Sequence, residues 1–222
     1  MLPEAELADA VVVVVGCGPV GICAITSASM WVRPGNLYAV DSVQERLDQA
    51  GRHGAIPLHL DGQGDESPQA VIRARTNGRG ADAVLEVVGC VSTPASKHLG
   101  LSLTTDAPVG FVRVISLKPA YKTALSLIRP FGVISSVGVH NDPSLLSGPE
   151  TYDLNLRAAW GRCPVRAEFP EALEVLRAKR ALFEGVDGAG SGFVSHWMDL
   201  KDAPEVRTAA VESRDTDVRE LT

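Results

Sequence analysis

Val11-Val12-Val13-Val14-Val15-Gly16-Cys17-Gly18-Pro19-Val20-Gly21 is a run of five valines followed at once by a glycine pattern. A continuous β-branched run fits a strand buried on both faces, as in a parallel sheet. The glycines read G-x-G-x-x-G. After them Val20–Met30 is small and apolar enough for a helix packed on that strand. Asp41 follows Gly21 by 20 residues, at the end of a second predicted strand, Leu37–Val40. Strand, glycine turn, helix, second strand and acid together form a dinucleotide-binding fingerprint.

Each position has a physical reason. Gly16 permits the tight turn out of the strand. Gly18 lets a pyrophosphate approach the backbone, and Gly21 lets the helix lie close to the sheet. Pro19 costs little at a helix start, where its missing N–H would have no partner inside the helix. With Val20 it opens a helix whose free N–H groups and dipole face an anion. Asp41 can accept hydrogen bonds from adenosine ribose hydroxyls and repels a 2′-phosphate, which favours NAD over NADP.

The rhythm continues outward. A helix is predicted over Gln44–Arg52, with Leu47 and Ala50 on one face. A strand is predicted over Ile56–Leu60, and Ser67 N-caps a helix over Pro68–Thr76. Further strands are expected over Ala83–Val88, Gly132–Val137 and Phe193–Met198, and helices over Ala120–Leu127 and Pro170–Lys179. Alternation of this kind implies an α/β fold with a doubly wound parallel sheet, the Rossmann architecture. Residues 1–205 are assigned to one NAD-binding domain. Val91–Lys118 breaks the pattern as an irregular insertion, and a long unstructured loop is uncommon in a compact domain. Its removal joins Val87-Val88-Gly89-Cys90 directly to Pro119-Ala120-Tyr121. Its boundary residues can be encoded by intron splice sequences, so it is read as a retained intron, against a genuine loop. The charged tail Val206–Thr222 is expected to be poorly ordered.

The chain has 222 residues and a formal charge of −6. This balance disfavours nonspecific nucleic-acid binding, which rests on neutralised phosphates. Met1–Ala10 lacks the basic start of a signal sequence, and the valine run is too short to span a membrane. A cytoplasmic protein with no membrane partner is therefore expected. Cys17, Cys23, Cys90 and Cys163 include no Cys-x-x-Cys pair and are read as thiols in a reducing compartment. His140 and His196 are read as surface or loop residues, and His53, His59 and His98 receive no catalytic role. Trp31, Trp160 and Trp197 are read as packing residues, and Asp61–Glu66 as a solvated loop.

Other nucleotide-site patterns fit less well. A G-x-G-x-G methyltransferase turn would need glycine where Val20 stands. No tyrosine is followed four residues later by lysine, as in the short-chain dehydrogenases, and no Walker A motif is present. FAD fits no better than NAD.

Val11 to Gly89 resembles the cofactor domain of the zinc-dependent medium-chain alcohol dehydrogenases. Beyond the glycine turn, the resemblance rests on Tyr38-Ala39-Val40-Asp41, Gly80-Ala81-Asp82-Ala83-Val84-Leu85-Glu86-Val87-Val88-Gly89 and Leu127-Ile128-Arg129-Pro130-Phe131-Gly132. It continues in Gly161-Arg162-Cys163-Pro164-Val165-Arg166 and Phe169-Pro170-Glu171-Ala172. It implies that Val88, Gly89, Val137, Gly138 and Val139 lie along NAD at strand C-terminal ends. It also implies a GroES-like catalytic domain that supplies zinc ligands. No such ligand set is found in this sequence. The expected function is NAD(H) binding by an alcohol or aldehyde dehydrogenase cofactor domain, inactive without that catalytic domain and binding no zinc itself. The alternatives are a non-catalytic NAD(H)-binding module or redox sensor, and an incomplete gene product. Relatives pair along a sheet edge, so Phe193–Met198 is the candidate segment for a homo-oligomer.

Overall fold

The computed structural model describes residues 7–88, 119–138, 152–184, 193 and 199–203. Six strands form one parallel sheet: β1 (Val12–Val15), β2 (Leu37–Asp41), β3 (Ile56–His59), β4 (Ala81–Glu86), β5 (Ile128–Ser136) and β6 (Arg157–Trp160). Their order is β3-β2-β1-β4-β5-β6. β1 lies inside, paired with β2 (Val12 opposite Leu37) and with β4 (Val12 opposite Ala83). The order reverses direction at β1, which places a crevice beside its C-terminal end.

Helices α1 (Pro19–Ala28), α2 (Gln44–Arg52), α3 (Pro68–Arg75), α4 (Pro119–Leu127), α5 (Val165–Ala178) and α6 (Arg180–Glu184) accompany the sheet, with two short 3-10 turns. Alternate residues of β1 feed two cores, as the period of two along a strand requires. Val12 and Val14 pack with Ile22 and Ile25 of α1 and with Leu47 and Ala50 of α2. Val13 and Val15 pack with Ile72 of α3 and with Tyr121, Ala124 and Leu127 of α4. The two buried sets bear out the strand buried on both faces that was read from the valine run, as the doubly wound arrangement requires.

Several boundaries differ from expectation. α1 starts at Pro19, whose fixed φ suits a first helical turn. β4 begins and ends two residues earlier than expected. β5 begins at Ile128 and passes through Pro130 and Phe131, with a register shift opposite Ala81–Ala83. Phe131 has φ 60°, and this irregular step hides the strand's start from a search for alternating apolar residues. β6 was not foreseen. α5 starts at Val165 rather than Pro170, which lies inside it. Asp61–Glu66 includes a 3-10 turn over Gly64–Glu66, as exposed as expected. The strand expected over Phe193–Met198 lies, Phe193 apart, outside the described residues, as do Val91–Lys118 and Val206–Thr222. Among the described residues, no helix is long and apolar enough to cross a membrane.

Candidate functional site

The glycine turn sits at the C-terminal end of β1. Gly16 has φ 98°, a left-handed conformation that L side chains rarely adopt. Its N–H donates to the Val40 carbonyl at 2.8 Å, which ties the turn to β2. A Cβ on Gly21 would lie 1.9 Å from the Gly16 carbonyl oxygen. Helix α1 therefore rests directly on the turn. Gly18 is different: it has φ −67°, and a Cβ there would meet nothing within 4 Å. It N-caps α1 without a side-chain acceptor, Pro19 occupies the first turn, and Val20 is 56% exposed. The first-turn N–H groups have no side-chain cap, and the space in front of them is open. Uncapped N–H groups at a helix start, together with the helix dipole, are donors of the kind an anion takes.

Asp41 ends β2 and is only 8% exposed. Its Oδ2 accepts the Cys17 N–H at 2.7 Å, and its Oδ1 accepts the Val43 N–H at 3.0 Å. Each carboxylate oxygen can accept more than one hydrogen bond, so capacity remains for sugar hydroxyls. Asp41 thus also shapes the turn, which spacing alone did not reveal. Arg46, on α2, brings its guanidinium to 4.0 Å from Asp41 Oδ2 and is half exposed. The sequence reading missed it. Its available signal was a cation on the helix immediately after the acid. Burial and the Asp41 charge push the Cys17 thiol up to about 12, so it stays protonated inside the turn.

Val88 follows β4 and Val137 follows β5, and both are partly exposed at the same rim of the sheet. The Val88 Cγ2 lies 2.6 Å from where a Gly16 Cβ would be, so Val88 overhangs the turn. Gly138 follows Val137, while Gly89 and Val139 lie outside the described residues. Glu86, also missed from sequence, is fully buried between these ends. Its Oε2 accepts the Ser136 hydroxyl at 2.6 Å and its Oε1 the Val88 N–H at 2.9 Å.

The two described histidines, His53 and His59, make their contacts away from this rim. His53 is buried, with Nδ1 2.7 Å from Thr26 Oγ1. The Thr26 hydroxyl donates to the Ile22 carbonyl, so Nδ1 of His53 carries the proton that bridges them. His59 Nδ1 accepts the Asp61 N–H. His98, His140, His196 and Trp197 lie outside the described residues. Trp160 stacks on Tyr121 with ring centroids 6.5 Å apart, while Trp31 is 43% exposed. Among the described residues, no group of three or more His, Cys, Asp or Glu could hold a metal ion.

The sheet order and the glycine turn at its switch point define a Rossmann-type α/β domain. No family model matches the chain. Over 175 residues it is 42% identical to the zinc-type alcohol dehydrogenase B of Aspergillus flavus, covering 79% of this chain and 34% of that protein. Over 145 residues it is 41% identical to a medium chain reductase/dehydrogenase of Acremonium sp., covering 65% of this chain and 40% of that protein. The alcohol dehydrogenase TADH from Thermus sp. ATN1 superposes with a TM-score of 0.65 at 27% identity, covering 95% of this chain and 50% of the other. Its sequence is similar to part of zinc-type alcohol dehydrogenases and of medium-chain reductase/dehydrogenases. It spans 34% and 40% of the two curated relatives' lengths, so it corresponds to part of them.

Proposed function

We propose that this chain binds NAD(H) as the cofactor-binding part of an alcohol or aldehyde dehydrogenase. The observation that carries the reading is the open space in front of Gly18, bounded by the uncapped first turn of α1. A pyrophosphate placed there meets backbone N–H groups and no side chain. Asp41 stands one strand away to receive the adenosine ribose, with Arg46 beside it. Val88, Gly89, Val137, Gly138 and Val139 are assigned to the nicotinamide half. NAD is favoured over NADP because a 2′-phosphate would approach a buried carboxylate. Arg46 moderates that preference.

NAD+, when bound, accepts a hydride from the alcohol carbon. This chain's part is to hold and orient the dinucleotide. The described residues do not fit a catalytic zinc, since they include no suitable donor group. Oxidation of an alcohol also requires its alkoxide to be stabilised, and the described residues assign no group to that task. We therefore propose that the chain alone is inactive. The test is calorimetric titration of the purified chain with NAD+, with zinc analysis and an alcohol oxidation assay on the same sample. Saturable NAD+ binding without zinc or turnover is expected. A folded chain that does not bind NAD+ refutes the cofactor assignment. One tightly held zinc with zinc-dependent NADH formation refutes the inactivity.

A further inference from the structure

Glu86 is a carboxylate with no solvent exposure, and phosphate or ribose binding does not account for it. Burying such a group is costly unless donors compensate. Its side chain meets the Val88 N–H and the Ser136 hydroxyl, the latter short enough for a charge-assisted bond. Its backbone carbonyl accepts the Val137 N–H at 3.2 Å. One residue thus holds both valines at the rim, Val88 through its side chain and Val137 through its carbonyl. It also clasps the last residue of β5. In register, Glu86 lies between Val15 of β1 and Ser136 of β5. Tyr121 of α4 lies close enough to feel its charge. A leucine would fill the same core position at less desolvation cost, so packing alone does not explain the acid.

A dinucleotide with its pyrophosphate on the β1 turn and its adenosine toward β2 must extend its other half over β4 and β5. Val88 and Val137 stand exposed just past the ends of those two strands. We infer that Glu86 is a positioning residue for the nicotinamide half of the site. It sets the height and separation of Val88 and Val137, so that they form an apolar floor under the ring. This inference rests on the NAD(H) reading, and its test separates the two.

The full chain is titrated with NADH and with ADP-ribose, which lacks the nicotinamide ring, while NADH fluorescence is followed. Wild type is expected to bind both and to shift NADH emission to the blue, as a ring over an apolar floor requires. Glu86→Leu leaves two donors unsatisfied and is expected to lose about tenfold in NADH affinity, with ADP-ribose changed by less than about twofold and the blue shift lost. Glu86→Gln keeps an acceptor for Val88 and offers its amide to Ser136, so it is expected to restore the ratio and the shift. If Glu86→Leu does not fold, Ser136→Ala reports the same effect through the β5 end, with about a threefold loss confined to NADH. Equal losses for both ligands in a folded variant, or an unchanged ratio with the blue shift intact, overturn the positioning role alone. A wild-type chain that binds neither ligand refutes the NAD(H) reading and this inference with it.

Discussion

Gly18→Ala and Gly21→Ala are expected to separate binding from folding within one turn. At Gly21 the new Cβ would lie 1.9 Å from the Gly16 carbonyl oxygen and 2.9 Å from its carbon. Both are backbone atoms, so no side chain can swing away. Ordinary contact demands roughly 1.3 Å more room than the first distance allows, taking about 3.2 Å as a close carbon–oxygen approach. Helix α1 must lift by that order, dragging Ile22 and Ile25 from their core positions. Overpacking of this kind costs about 1–3 kcal/mol and sometimes more, while alanine's helix propensity returns up to about 1 kcal/mol. A net loss of about 2 kcal/mol predicts a Tm lower by roughly 4–8 °C for a chain of this size. At Gly18 the Cβ meets nothing and φ is already ordinary, so stability should hold or rise by about 0.4–1 kcal/mol. The same methyl occupies the space assigned to the pyrophosphate, and NAD+ affinity should fall by at least about tenfold, the equivalent of 1.4 kcal/mol. Circular dichroism melts and NAD+ calorimetry on both variants provide the measurements. Unchanged NAD+ affinity in Gly18→Ala, or an unchanged Tm in Gly21→Ala, would show that the turn does not work this way.

Four further outcomes are expected. Wild type should bind NAD+ more tightly than NADP+, and Asp41→Asn should shrink the gap by about 1.5–3 kcal/mol; equal affinities in wild type remove the basis for the preference. Burial, with help from Arg52, lowers the His53 pKa below its ordinary value near 6.5. The neutral ring's contribution is therefore full above about pH 6.5 and is lost as pH falls through the lowered value. His53→Gln should flatten the stability profile on the acid side of about pH 6.5, whereas a parallel profile contradicts this. Phe131 holds φ 60° while 67% exposed, so Phe131→Gly should relieve strain and raise stability by about 1 kcal/mol in a denaturant titration. Deleting Val91–Lys118, as the insertion reading requires, should leave folding and NAD+ affinity at least as good, and a deletion variant that fails to fold rejects it.

What could be read from sequence depended on how local its cause was. β1, β2, α1 and the glycine turn were legible because their signals lie within a few residues: five valines, three glycines and an acid. β6 was not, since Arg157–Trp160 is four residues long, carries a charge and stays largely exposed. The start of α5 was missed because Pro170 resembles a first helical position, yet the helix already runs from Val165. Glu86 reads as an ordinary acid in a strand. Its partner Ser136 is 50 residues away, and only the folded sheet joins them. Asp41 was found for its position, but its bond to the Cys17 N–H required the turn's geometry.

The place of β1 within the sheet bears on how the protein is made. Its neighbour on one side, β2, leaves the ribosome soon after it. Its neighbour on the other side is β4, and the Val11 N–H waits 71 residues for the Asp82 carboxylate that accepts it. At about 5–20 residues per second, that interval is roughly 4–14 s. Throughout it, the most apolar strand presents an unpaired valine edge, a template for pairing with other chains. Growing chains arrested after β3 should therefore be the form most often captured by chaperones, and chains extended through β4 should escape them. Ribosome-bound intermediates of the two lengths provide the comparison.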